Sequence, residues 1–170
     1  MEHLGKGLQI LYDYKNQLMQ DILTSETLVK LLDDDLPMEQ AETLAYKQVY
    51  PYDYVPETIE YGHSYICFDV DVQAIVNKTF LSPTISIWVF THKSKLRLPT
   101  GGVRPDRIVS ELVELLNGSR YYGLGELDLR SVKRFAPMTD FIGKYLVFDA
   151  KDYNRLSPSS KPIPSNRKSG

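Results

Sequence analysis

Residues 64–92 read SYICFDVDVQAIVNKTFLSPTISIWVFTH, and the alternation in this stretch decides the fold. Successive side chains of a strand point to opposite faces. Ile66, Phe68, Val70 and Val72 therefore share one side, and Tyr65, Cys67, Asp69 and Asp71 the other, the pattern of a half-buried strand. In the second segment Ile85, Ile87 and Val89 lie on one face and Ser86, Trp88, Phe90 and His92 on the opposite one. Bulk on both faces marks this strand as the sheet centre and Trp88 as a buried side chain. The connection from Gln73 to Pro83, with Asn77, Lys78 and Leu81, is long for a tight turn and is expected to project as a loop.

The flanking sequence supplies the other layer. Leu4, Leu8, Leu11, Leu18 and Ile22 recur near helical spacing, with Lys6, Asp13, Lys15 and Gln20 away from them. Thr24 or Ser25 is placed to cap a short helix through Leu28, Val29, Leu31 and Leu32, which Asp33, Asp34 and Asp35 end. Pro37 suits the first turn of a brief helix through Leu44. Beyond the hairpin, Lys93 to Val103 is expected to be a mobile loop. Its lysines precede Thr100, Gly101 and Gly102 in the wrong order for a phosphate loop. Pro105 and Asp106 open a helix with Ile108, Val109, Leu112, Leu115 and Leu116 on one stripe, closed by Asn117 and Gly118. Two strands follow, one through Leu127, Leu129 and Val132 and one from Lys144 to Asp149. The expected fold is α+β, an antiparallel or mixed sheet of about four strands with N-terminal helices and one central helix packed on it. It forms one domain over 1–154 with an arm over 155–170.

Composition bounds the function. A chain of 170 residues with 42% hydrophobic and 25% charged residues can bury a core without disulfides or metal. The one cysteine, Cys67, excludes an internal disulfide, is compatible with a reducing compartment and is expected to be a buried, inert thiol. There is no basic-then-apolar signal and no apolar run of the ~18 residues that span a bilayer, so a soluble protein made inside the cell is expected. Arg155, Lys161, Arg167 and Lys168 follow Asn154 with no acid among them, so 16 of the 20 basic residues face all 22 acids in the rest of the chain. An acidic body argues against a groove that neutralises phosphates.

Candidate chemistry is sparse. Asp69 and Asp71 share one strand side with Cα atoms roughly 6 to 7 Å apart, which could serve a metal-dependent hydrolase or nuclease. A solvated strand face explains them as well. Asp33 to Asp35 lack the spaced ligands of a calcium loop. His63 and His92 could flank adjacent strand ends, but metal spacing is absent, and no serine sits in a nucleophile elbow. The expectation is no enzyme, no cofactor and no metal. Tyr50-Pro51-Tyr52-Asp53-Tyr54-Val55-Pro56 is an extended arm, because prolines push the preceding residues out of helical geometry. Its rings either face a partner or line the edge of their own sheet.

The run from Tyr50 through Phe90, with the tyrosine-proline arm, the strand Tyr65 to Val72, the Asn77-Lys78-Thr79-Phe80 loop and the strand Ile85 to Phe90 ending in Thr91-His92, resembles tail terminator or tail-completion proteins in the neck of long-tailed bacteriophages. The similarity continues through the helix Asp106 to Leu116, Leu116-Asn117-Gly118-Ser119, Gly123-Leu124-Gly125 and Gly143 to Asp149 with Lys151-Asp152-Tyr153, covering about two thirds of the chain. Asp33 to Lys47 and the tail after Asn154 fall outside it. The resemblance implies a structural virion subunit that closes into a hexameric ring. Such a ring caps the tail tube, contacts the tail tube protein and the head-side connector or head-closure protein, and lets DNA pass without specific binding. It would be assembled in the host cytoplasm, with no membrane involved. Another neck component, a head-closure or tail-tube protein, is the alternative. Tyr52, Tyr54, Lys78, Arg97, Arg167 and Lys168 are the candidate partner-binding residues. Residues 155–170, with Pro158, Pro162 and Pro164 and few apolar side chains, cannot fold on themselves and are expected to bridge to a neighbouring protomer or ring component.

Overall fold

The computed structural model describes residues 8–54 and 63–156. In chain order it holds α1 (Ile10–Thr24), α2 (Glu26–Leu32), a 3-10 helix (Met38–Leu44), β1 (Val49–Tyr50), β2 (Ser64–Ala74), β3 (Phe80–His92), a 3-10 turn (Lys93–Lys95), α3 (Arg104–Leu116), β4 (Asp128–Phe135), β5 (Phe141–Asp149) and β6 (Asp152–Tyr153). The strands form one mixed sheet in the order β1-β2-β3-β5-β4, with β6 pairing the start of β3. Only β1 with β2 is parallel; the long pairs are antiparallel. The α+β class stands. The sheet has six strands instead of four because the two-residue strands β1 and β6 leave no periodic signal.

β3 is the central strand, as its two bulky faces predict. It pairs with β2 from Ser64↔Thr91 to Ala74↔Ser82 and with β5 from Thr84↔Asp149 to His92↔Phe141. The hairpin strands are longer than the alternation suggested. Gln73 and Ala74 extend β2, Phe80 to Pro83 begin β3, and only residues 75–79 remain as the loop. Asn77 closes that loop by accepting from the Thr79 and Phe80 amides. Leu81, expected in the loop, is buried in the core.

One face of the sheet carries the helices. Ile66, Phe68 and Val70 of β2, Ile85, Ile87 and Val89 of β3, and Leu146 and Phe148 of β5 meet Leu18 and Ile22 of α1, Leu28 and Val29 of α2, and Ile108, Leu112 and Leu116 of α3. Burying each such side chain contributes roughly 1.5–3 kcal/mol. In α1 the buried face is Ile10, Tyr14, Leu18 and Ile22. Leu8 precedes the helix and is exposed, and Leu4 and Lys6 lie outside the described residues. Ser25 caps α2 by accepting from the Leu28 amide. Pro37 stands just before its helix instead of inside the first turn, and that helix is 3-10. The stretch Lys93 to Val103 is an ordered turn: Leu98 is buried, its amide donates to the Gly102 carbonyl, and the glycines at 101 and 102 supply φ of +92° and +86°.

Arg104, at the first residue of α3, ties three elements together. Its side chain is only 5% exposed. It donates to the Leu31 carbonyl at the end of α2 (2.9 Å), to the Lys95 carbonyl (3.0 Å) and to both Asp34 oxygens (3.3 and 3.2 Å). The aspartate run thus ends α2 and at the same time offers Asp34 as the counter-charge of a buried guanidinium. A second polar pair locks α1 to the far end of the sheet. Tyr14 donates to Asp152 (2.7 Å), Tyr122 donates to Asp21 (2.5 Å), and the two rings meet edge to face.

The opposite face is closed at one end by a second cluster of Tyr50, Tyr65, Cys67, Phe90 and Phe141, with Tyr54, Trp88, Phe135 and Met138 packed on it. Gly143 pairs with Phe90, and a Cβ there would run into the Val89 carbonyl and Phe90. Trp88 stacks on Tyr145 and keeps partial exposure, so it sits at the margin of this cluster and not in the core; Ile87 holds the fully buried place. Cys67 is buried as expected, and burial pushes its thiol up to about 12.

Two outcomes follow from this packing. Arg104→Ala should lower unfolding stability by about 2–4 kcal/mol in urea denaturation, because two main-chain carbonyls and Asp34 lose their donor. Arg104→Lys should recover little of that loss, since one ammonium cannot reach all three acceptors. Cys67 should resist thiol reagents at pH 8 in the folded chain and react on unfolding. The Cys67 thiol and the Tyr14 and Tyr122 hydroxyls are all raised by burial, so the folded state holds protons that the unfolded chain releases. Stability should therefore be undiminished below the ordinary thiol range and fall as pH climbs beyond it, measured as a declining urea midpoint.

Candidate interaction surface

The aromatic cluster continues to the molecular surface through the tyrosine arm. Tyr65 stacks on Phe90 (5.2 Å between centroids), Tyr50 lies over Tyr65 (6.5 Å), Tyr54 stacks on Tyr50 (3.9 Å), and Tyr52 meets Tyr50 edge to face (5.5 Å). The two readings of this arm divide along it. Tyr50 pairs in β1 and is buried, Tyr54 is half-buried against it, and Tyr52 is exposed. Val55 and Pro56 lie outside the described residues.

The ladder ends on Tyr46, whose ring meets that of Tyr52 (6.5 Å) and is 61% exposed. Tyr46 has φ of +60°, the one non-glycine residue with positive φ among the described residues. That conformation costs an L-residue roughly 1–2 kcal/mol. It is held by the Tyr46 amide donating to the Val49 carbonyl (2.8 Å), which closes the turn into β1. A cleft of about 390 Å³ opens here between Tyr46, Lys47, Gln48, Tyr50, Tyr54, His63 and Tyr65. A bulky aromatic held where glycine would be unstrained is a signal the sequence does not show, because a lone tyrosine carries no mark of its φ.

The structure separates the other candidate contacts. Lys78 sits at the tip of the β2–β3 hairpin beside Ile75 and Val76, which are 60% and 62% exposed. Arg97 is exposed in the turn after β3 and bridges to Val103. The two stand at opposite ends of a 13-residue strand, about 40 Å apart. Tyr52 and Tyr54 belong to the Arg97 end, where the beginning of β2 pairs with the end of β3. Arg167 and Lys168 lie outside the described residues.

The structure also places each candidate for chemistry. Asp69 pairs with Lys15 of α1 (2.6 Å), and Asp71 is exposed beside it on the same strand. The His92 amide donates to the His63 carbonyl (3.1 Å), so the two histidines do flank adjacent strand ends. The His92 ring bonds Ser94 (2.8 Å). His63 and Ser64 also border a polar cleft of about 250 Å³ with Asp33, Asp34, Asp35, Lys95 and Arg104. Among the described residues no group of three or more His, Cys, Asp or Glu is placed to hold a metal ion. No helix among them is long and apolar enough to cross a membrane.

No curated protein matches the chain. A protein-family model, YomW, matches residues 25–150, which runs from the cap of α2 to the end of β5 and takes in Asp33 to Lys47, the segment left aside by the phage-neck resemblance. With well over half of its length so matched, the chain belongs to the YomW family, a phage-derived, SPbeta-prophage-like family.

Proposed function

We propose that the protein is a structural subunit of the phage virion that closes into a ring, six copies by the phage-neck resemblance, caps the tail tube and joins it to the head-side connector. The observation that carries this reading is the exposed end of the aromatic ladder, Tyr46 and Tyr52, built on a sheet whose other face packs against the helices. Rigid amphipathic rings that give large contact area at low entropic cost suit a protein interface.

A ring built head to tail needs two different complementary surfaces on each subunit. The sheet offers two unlike edges. On the β1–β2 side stand Tyr46, Tyr52, Asp53 and Asp71. On the β4 side the outer strand carries Arg130, Lys133 and Arg134, with Val132 43% exposed. The β4 edge is the more basic of the two despite Asp128, and the β1–β2 edge the more acidic despite Lys47, a difference that favours unlike edges meeting. The apolar hairpin tip at Ile75 and Val76 and the turn at Arg97 point to opposite ends of β3, which fits a subunit meeting different partners above and below the ring. The runner-up, a different neck component, shares the phage setting and differs in the length control it exerts.

Phage particles assembled without this protein should show tail tubes of uncontrolled length in electron micrographs. Tubes of normal length lacking only heads would favour the head-closure alternative, and normal virions would remove the protein from the neck altogether. At the level of one residue, Tyr46→Gly should leave the melting temperature unchanged or raise it slightly, since glycine relieves the positive φ. The same substitution should weaken self-association at least several-fold by analytical ultracentrifugation. Lost stability with unchanged association would mean the ring serves the subunit's own packing.

A further inference from the structure

The tyrosine cleft has the size and lining of a ligand site. Its rings are those of buried Tyr50 and Tyr65, half-buried Tyr54 and exposed Tyr46, around a volume of about 390 Å³. Aromatic-lined clefts of roughly 300–1,000 Å³ are the ones that hold ligands. A second observation is the backbone at its rim. Tyr46 presents its ring there from a positive φ that glycine would adopt without strain. Strain of this kind persists where surrounding structure fixes it, and it gathers at ligand clamps.

The lining selects the class of ligand. Tyrosine rings hold either a cation over the ring face or a proline ring packed against it. Lys47 lines the same cleft and repels a cation, which leaves the prolyl ligand. A proline-rich segment is extended before it docks and so loses little entropy, and its carbonyls, which make no internal hydrogen bonds, can accept from tyrosine hydroxyls. The chain itself contains such a segment. Residues 157–170 have Ile163 as their one large apolar side chain, set between Pro162 and Pro164.

Chain length decides which copy supplies it. The Asn154 amide donates to the Thr79 carbonyl, which fixes Asn154 at the hairpin end of the sheet. Tyr65, in the cleft, pairs with Phe90 at the other end of β3. From Thr79 to Phe90 the strand covers about 36 Å at its usual rise per residue. Pro162 follows Asn154 by only eight residues, which reach at most about 29 Å in any conformation. A chain therefore cannot seat Pro162 in its own cleft. We infer that Pro162-Ile163-Pro164 of a second copy docks in the cleft of Tyr46, Tyr50, Tyr54 and Tyr65. This deepens the self-association proposed above and rests on it for the second copy.

The test titrates a fluorescent peptide of residues 155–170 into the full-length chain carrying P162S/P164S, whose own tail does not compete, and reads anisotropy. Saturable binding is expected, about tenfold weaker when the peptide carries P162S/P164S or when Tyr46→Gly is added to the chain. Thermal melts check that the altered chain folds. A peptide with K161S/R167S/K168S should bind within about threefold of the parent peptide, and raised salt should change little. Absent binding, binding indifferent to the prolines or to Tyr46, or binding lost with the basic residues or with salt would overturn the inference. A benzophenone cross-linker replacing Ile163, in a mixture of isotopically heavy and light chains, should join that position to Tyr46 or Tyr54 of another copy. Cross-links confined to one copy would overturn the assignment to a second copy. A discrete oligomer without peptide binding would leave the ring standing and remove this docking. Peptide binding to a chain that stays monomeric at every concentration would remove the ring and, with it, the second copy as the source.

Discussion

Everything in this molecule depends on β3 being paired along both edges. A strand with β2 on one side and β5 and β6 on the other has its main-chain groups satisfied, so its burial is limited only by what covers its two faces. The helix layer covers Ile85, Ile87 and Val89. The other face is covered only in part, by aromatic rings around Phe90, and that partial cover packs one end of the sheet and leaves exposed rings at the surface proposed for contact. The tyrosine arm is the same structure seen from outside: Tyr50 and Tyr54 finish the cluster, and Tyr46 and Tyr52 lie beyond it.

Much of the fold was legible in the residues because two periods are strong. Alternation placed β2, β3 and β5, and 3.6-residue spacing placed α1, α2 and α3, with Ser25 one of the two candidate caps of α2. What escaped has no period. β1 and β6 are two residues each, and the 3-10 helix after Pro37 has too few turns to show a stripe. The hairpin was drawn too short because Gln73, Ser82 and Pro83 look like loop residues, while tertiary pairing carries them as strand. The Lys93 to Val103 turn looked mobile because lysines and glycines suggest it; Leu98 and the Arg104 network hold it in place.

The site was less legible, and for a different reason. The sequence left the tyrosine arm open between partner contact and lining its own sheet and could not say which rings face outward, since Tyr50, Tyr52 and Tyr54 are alike in sequence and differ only in what β2 places beneath them. Tyr46 and Arg104 were invisible: one is marked by a backbone angle, the other by partners that lie 73 residues away at Leu31 and 70 away at Asp34. Lys78 and Arg97, both named as candidate contacts from their loops, prove to be separated by the full length of β3. In the ring proposed above that separation would let the lateral edges, the upper end and the lower end each answer to a different partner.

The measurement that bears most directly on this account is the mass of the full-length protein in solution, by native mass spectrometry or sedimentation at physiological salt across a wide concentration range. The account predicts a closed, discrete oligomer, six copies by the phage-neck resemblance, that dissociates as salt is raised against its charged edges. A chain that remains monomeric at all concentrations, alone and on isolated phage tails, would contradict it.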